Sequence, residues 1–235
     1  MRVAVSIWLF ALMTTGSPIA FAGVVINETE TITGQPPQTR QRIIMIEGNQ
    51  EKMIDGRREF ITDLDKGTTA VIDPAHKMYL EIPFPPQGMM GQAVGGLSEP
   101  ADYVATGNTR TVAGYKCDEF KGAGQFAIGE FSTISCVSKT APGVAAYTSF
   151  EKAMLAKIKN GPPPNSVPDG IPLTQDTTTT LKPAEIPNLS PQAAEELKRQ
   201  LAEQPPMVTT SEVTKVEAQK IAASELEVPA GYIKR

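Results

Sequence analysis

Residues 39–83 read TRQRIIMIEGNQEKMIDGRREFITDLDKGTTAVIDPAHKMYLEIP. Short β-prone runs recur every 8 to 12 residues or so, roughly the spacing of meander strands, with Asp, Gly and Pro between them. TRQRIIMIEG, QEKMI, REFITDL, TTAVI and MYLEI each suit a strand, and DGR, DKG and DPAHK each suit a turn. No apolar period of helical length competes with this pattern. Upstream, VVINETETIT (24–33) alternates in the same way. The spacing predicts an antiparallel meander from Gly23 to Pro83.

Downstream, DYVATGNTRTVAGYKCDEF and QFAIGEFSTISCVS add more strand, with GAGQ as a candidate turn. A tight turn there does not set Cys117 opposite Cys136. Either a longer loop or a bulge at Gly129 is then needed. TSFEKAMLAKIKNGPPP (148–164) predicts a helix. Thr148 can cap it, with Glu151 three residues on as a capping box. Phe150, Met154, Leu155 and Ile158 share its apolar face, and Asn160-Gly161 followed by prolines stops it. Beyond 161 the chain is proline-rich. GIPLTQDTTTTLK and MVTTSEVTKVEAQKI read as strands. Between them, NLSPQAAEELKRQLAEQPP reads as a helix with Ser190 as N-cap and Pro191 at the first helical position. Its apolar stripe is thin, so residues 184–206 are expected to form a surface insertion.

Together these elements predict an α+β fold: a curved, partly open antiparallel β-barrel with one or two covering helices. It is expected to be a single domain over residues 23–235.

The first residues, MRVAVSIWLFALMTTGSPIAFAG, carry a positive start, an apolar run too short to span a bilayer, and Ala20-Phe21-Ala22. They predict a signal peptide over residues 1–22, cleaved between Ala22 and Gly23, and hence a periplasmic or secreted chain. The two cysteines, Cys117 and Cys136, then suggest one disulfide. Closing a loop of this length stabilises by about 3 kcal/mol in the chain-entropy picture. No cysteine follows the apolar run, so no lipid anchor is expected, and no later segment is apolar enough to span a membrane. With 22 basic and 26 acidic residues, the net charge is −4. An acidic chain without a basic cluster is a poor nucleic-acid binder.

Three stretches resemble a known group. DPAHKMYLEIP, TVAGYKC and EVTKVEAQKIAASELEVPAGY, in this order and spacing, resemble an uncharacterised family of bacterial secreted proteins related to the LolA and LolB lipoprotein-carrier superfamily. The resemblance covers roughly Gly23 to Tyr232. One departure is Leu226, where a phenylalanine is expected. The resemblance implies a strongly curved, unclosed sheet with helices across an apolar concave side that holds acyl chains. It brings no catalytic residues.

Searching the residues for chemistry gives little. The single histidine, His76, sits in the turn DPAHK and reads as a solvated turn residue. No G-x-S-x-G, H-E-x-x-H or phosphate-binding glycine motif occurs. DLDKG (63–67) lacks the later ligands of a calcium loop and reads as a plain turn. No catalytic residue, metal site or cofactor is expected, and the chain is not expected to be an enzyme.

One segment remains, FPPQGMMGQAVGGL (84–97), uncharged and rich in glycine. It is expected to leave one strand and return to another near the middle of the sheet, and reads either as a loop folded onto the core or as a lip on an apolar cavity, its methionines suiting irregular apolar partners. The expected ligand-lining residues are Tyr79, Phe84, Met89, Met90, Leu97 and Phe150. The function favoured is non-enzymatic shelter of a lipid or acyl group. The alternative is an envelope interaction or structural module without a small-molecule ligand.

Overall fold

A computed structural model describes residues 23–33, 36–86, 103–126, 129–158, 163, 166–181, 192, 195–196, 199–200 and 204–235. The expected signal peptide, the lip residues Met89, Met90 and Leu97, and most of the stretch 184–206 lie outside the described residues.

The meander forms as the sequence predicts. β1 (Gly23–Ile32), β2 (Gln38–Glu47), β3 (Gln50–Asp55), β4 (Arg58–Asp63), β5 (Thr68–Asp73) and β6 (Met78–Pro83) pair in succession, all antiparallel. A second group contains β7 (Val104–Val112), β8 (Tyr115–Phe126), β9 (Gly129–Ser138), β10 (Ile171–Leu181) and β11 (Met207–Ala218). β11 returns to pair with β1, so both groups share one sheet. A last short strand, β12 (Ile233–Lys234), adds in parallel to β6. The order is β12-β6-β5-β4-β3-β2-β1-β11-β10-β9-β8-β7. The sheet is curved and is not closed into a barrel, since β7 and β12 are its two ends.

This order corrects the expected place of the lip. β6 and β7 stand near opposite edges of the sheet, not side by side at its middle. The reason is topological: β1 acquires β11 as its second neighbour, and this pushes the two meanders' far ends apart.

The β7–β8 hairpin shows how local chemistry fixes register. Its two turn residues, Ala113 and Gly114, have φ of 49° and 84°. Positive φ at both central positions is the turn that matches strand twist. On β8 and β9, Cys136 faces Glu119 and no register shift intervenes. Cys117 and Cys136 are therefore diagonal neighbours, and their disulfide spans Cα atoms 5.3 Å apart. Neither the longer loop nor the bulge is used, because a diagonal offset of two residues is within reach of the bridge.

One helix, α1 (Val144–Lys157), covers the sheet and packs on β1, β2 and β10. It begins earlier than the capping box predicts. Its N-cap is Gly143 at φ 78°, and a Cβ there would come within 2.5 Å of the Val24 side chain. Close approach and backbone conformation both demand glycine. Thr148 and Glu151 thus lie inside the helix and do not cap it. Of the second predicted helix, Gln192, Glu195, Glu196, Arg199 and Gln200 are helical and exposed.

The two faces of the sheet are buried by different elements. The inner face packs Val24, Ile26, Ile46, Leu64, Val213 and Val216 against Phe150 of α1. The outer face is covered by the chain's last residues. Ile221 and Leu226 cover Val25, while Val228 and Tyr232 pack near Ile61, Ala70 and Ile72. The closing motif of the sequence is thus a strap, and Leu226 fills its pocket at 2% exposure.

Candidate functional site: the inner face beneath the helix

Alternation along β1 decides what the inner face carries. Val24 and Ile26 point into the inner core, so the next residues on that side are Glu28 and Glu30. Register places Arg42 and Arg40 of β2 opposite these two glutamates. On β3, Asp55 faces Arg42 and Glu51 faces Ile46. An apolar floor therefore gives way, along the same face, to an ionisable one.

Both arginines pair with carboxylates of this set, although Arg42 Nε and Asp55 Oδ1 are buried without a hydrogen-bond partner among the described residues. Arg40 pairs with Glu30, and its Nη1 lies 2.8 Å from Asp55 Oδ2. Arg42 Nη1 lies 2.6 Å from Glu30 Oε1 and 3.2 Å from Glu28 Oε1. Arg42 also reaches the Met53 sulfur at 3.0 Å. Burial raises the Glu28 carboxyl above its ordinary value, against the pull of Arg42; Glu30 and Asp55 add to the rise.

Glu51 and Glu151 form a second tier. Burial pushes Glu51 up to about 7, opposed by Arg42 and reinforced by Glu28. Burial also pushes Glu151 of α1 up to about 7, reinforced by Glu51. Among the described residues, neither carboxyl has a hydrogen bond or ion pair to its side chain. Two tyrosines flank them. Burial holds the Tyr147 hydroxyl well above its usual value, with Glu151, Glu51 and Glu28 adding to it. Tyr103 is raised by burial and then by Glu151. Its ring lies over Gly122 of β8, where a Cβ would meet it at 2.8 Å. Tyr103 from the β8 side and Glu51 from the β3 side therefore flank α1 on the inner face.

Further across, polar side chains continue on the inner face. Glu30, Ser211, Gln175 and Ser135 follow one another across β1, β11, β10 and β9. Thr177 donates to Thr133 at 3.1 Å in the neighbouring row. Apolar groups return at β8 and β9, where Phe120 pairs with Ser135 and Phe131 lies two residues from Thr133. The uniformly apolar concave side implied by the resemblance is therefore not what this chain has.

The expected lining residues are divided. Phe150 is fully buried in the inner core, and Phe84 packs against that core. Tyr79 points the other way and packs near Ile72 and Tyr232 beneath the strap. β6 pairs Tyr79 with Ile72, and Ile72 faces outward, so strand parity excludes Tyr79 from the hollow. The ionisable groups were missed, though alternation carried a signal: VVINETE continues a core-facing set straight into two glutamates. His76 stands in an exposed turn with its Nδ1 2.7 Å from Asp73 Oδ2. Asp63 accepts the backbone N–H groups of Asp65 and Lys66, the geometry of a turn. Among the described residues, no group of three or more His, Cys, Asp or Glu is placed to hold a metal ion. No described helix is long and apolar enough to cross a membrane.

No protein-family model matches the chain, and no curated protein matches it in sequence. Solved structures do resemble it. The structure of PNGF-II is similar at TM-score 0.41 and 9% identity, over 91% of this chain and 31% of that one. The chain thus spans about a third of the PNGF-II chain. A DUF1329 family protein from Desulfovibrio piger is similar at TM-score 0.36 and 9% identity, over 88% of this chain and 90% of that one. A LolA superfamily protein from Nitrosomonas europaea is similar at TM-score 0.33 and 6% identity, over 88% and 91%.

Proposed function

We propose that this chain is an exported envelope protein, not an enzyme, that shelters a lipid or acyl group against the inner face of its open sheet. The observation that carries this is the mixed character of that face. Apolar Ile44, Ile46, Phe150 and Met154 adjoin the ionisable set Glu28, Glu51, Arg42 and Glu151. An amphipathic ligand has the same two ends. Signal-like residues 1–22 and the Cys117–Cys136 disulfide support the compartment.

In this reading Phe84, Met89, Met90 and Leu97 belong to the lip, and Phe150 is reached only when α1 yields. The test is titration of delipidated protein with a fluorescent fatty acid. Saturable binding is expected, and Met89→Asp with Met90→Asp should abolish it while the fold persists. Binding that never saturates would sink the reading.

A second reading has its own support. Phe150 has no exposed surface, so the apolar part of the hollow is filled by the protein's own side chain. The chain is then an envelope interaction module. In that case protein recovered from its native compartment carries no lipid by mass spectrometry.

A further inference from the structure

Resting on the function proposed above, we infer that the inner face carries a track for one acyl chain across β2 to β6, and that the sheltered ligand is a long-chain fatty acid with its carboxylate at the β6 edge. Register builds the track. Ile44 faces Met53, Met53 faces Phe60, Phe60 faces Val71 and Val71 faces Leu80, each on the next strand. Four steps between strands make roughly 19 Å, the reach of an extended long-chain acyl group. At the inner end, Ile44 packs against the core that Phe150 fills. α1 packs on β1, β2 and β10, and beyond them the row opens. Met53, Phe60 and Val71 are partly exposed, and Leu80 is 45% exposed. The row is therefore reached with α1 in place.

Polar rows bound the track on both sides. Rows on one face of a strand lie two residues apart, about 7 Å, which gives width for one acyl chain and not for two abreast. On one side Glu51, Thr62 and Thr69 follow one another across β3, β4 and β5, and the Thr62 and Thr69 hydroxyl oxygens lie 3.2 Å apart. On the other side run Arg42, Asp55 and Arg58 of β2, β3 and β4. Arg42 Nη2 stands 3.0 Å from the Met53 sulfur, so this row touches the track. A second chain would have to cover hydroxyls or ion pairs and strip them of water.

At β6 the polar rows end. Met78 and Ile82 flank Leu80 on the same face, so the track widens into an apolar mouth at this edge. Charge sets the orientation of the ligand. Along the track, Arg42 is taken up by Glu28 and Glu30, and Asp55 by Arg40. At the mouth, Asp73 faces Met78 but is bonded by His76, whose Nδ1 lies 2.7 Å from Asp73 Oδ2. Arg235 Nε lies 3.0 Å from the Met78 sulfur, and its guanidinium has no carboxylate partner among the described residues. A guanidinium holds more donors than one thioether uses, in a planar fork that matches a carboxylate. The chain thus runs inward and the carboxylate stays at the edge.

Calorimetric titration of the delipidated, disulfide-bonded protein tests the track with two isomeric probes: palmitate, and its branched isomer with two shorter chains on the carbon that bears the carboxylate. Palmitate should saturate, and the branched isomer should bind about tenfold more weakly. Leu80→Asp should weaken palmitate by about tenfold. Met207 on β11 is also 45% exposed but lies off the track, so Met207→Asp should leave palmitate binding unchanged. Arg235→Gln should weaken palmitate by about threefold and leave its methyl ester unaffected. Equal binding of the two isomers, or equal effects of the two Asp variants on palmitate, overturns the track. An Arg235→Gln effect that is the same on acid and ester overturns the orientation. The isomer comparison needs no variant, so it still tests the track if Leu80→Asp does not fold. Absence of saturable binding by either probe sinks the proposed function and the track together; saturable binding indifferent to chain number sinks the track alone.

Discussion

The inner and outer faces of this sheet are built from alternate residues of the same strands, yet they differ in kind. Beneath the strap, Val25, Ile61, Ala70 and Ile72 meet Ile221, Val228 and Tyr232 in ordinary apolar packing. Beneath α1, the apolar cluster borders two arginines and a set of carboxylates, some without partners. The outer face holds charge as well, but the charges beneath the strap have partners: Lys52 Nζ lies 2.7 Å from Glu59 Oε2, and Glu47 accepts the Ile221 N–H at 3.0 Å. Buried charge is weak evidence for stability. The inner carboxylates are therefore better explained by what the face contacts or how it moves than by what holds it together.

The largest expected effect separates the two covers. Phe150 is the largest fully buried side chain of the inner core. Phe150→Ala should cost about 3–5 kcal/mol, by lost burial and a cavity. Leu226→Ala in the strap should cost about 2–3 kcal/mol, because a terminal segment can settle back onto the gap. Chemical denaturation measures both. If Leu226→Ala proves the costlier, the strap and not the helix is the main cover.

Strand parity explains what was legible in the sequence. The meander from Gly23 to Pro83 could be read because turn residues punctuate it at regular spacing. The pairing of β1 with β11 could not be, since residues 24–32 and 209–218 carry no local mark of each other. That pairing sends β6 and β7 to opposite edges and so misplaced the lip. Phe150 was readable from the helix face. Tyr79 was not, because an aromatic in a strand covered on both sides gives no sign of which cover it meets. Thr148 misled by matching a cap pattern inside the helix, where Gly143 had already started it. The carboxylates were overlooked because a charged residue in a strand is ordinarily assigned to solvent.

The next effect is on the order of 1 kcal/mol and concerns pH. Glu51 and Glu151 are raised to about 7 by burial first. They favour the folded state in acid and lose that contribution as pH climbs from about 4.5 to 7. Both remain partly solvated, so the full shift is not converted into stability. Melting temperature should therefore peak on the acid side of neutrality. Glu51→Gln should raise it at pH 8 and leave it nearly unchanged at pH 5. A Gln variant less stable than the parent at pH 8 would show that the carboxylate is needed charged.

The smallest effect lies outside both faces, at the β4–β5 turn, and has the opposite sign. Burial would raise the Asp63 carboxyl, but the Lys66 N–H and the side chains of Lys66 and Gln50 outweigh it and lower the value. Stability from this group is present above about pH 4 and lost as pH falls through its depressed value. Lys66 Nζ stands 3.0 Å from Asp63 but is 70% exposed, so the ion pair is screened. The backbone N–H groups of Asp65 and Lys66, at 3.0 and 2.9 Å, are the durable partners. Lys66→Ala should thus cost under about 0.5 kcal/mol, with the acid-side loss intact. Asp63→Ala should cost about 1 kcal/mol and remove that loss. Measured together at pH 3 and pH 7, equal costs for the two variants would mean that the ion pair, not the turn, fixes this corner of the sheet.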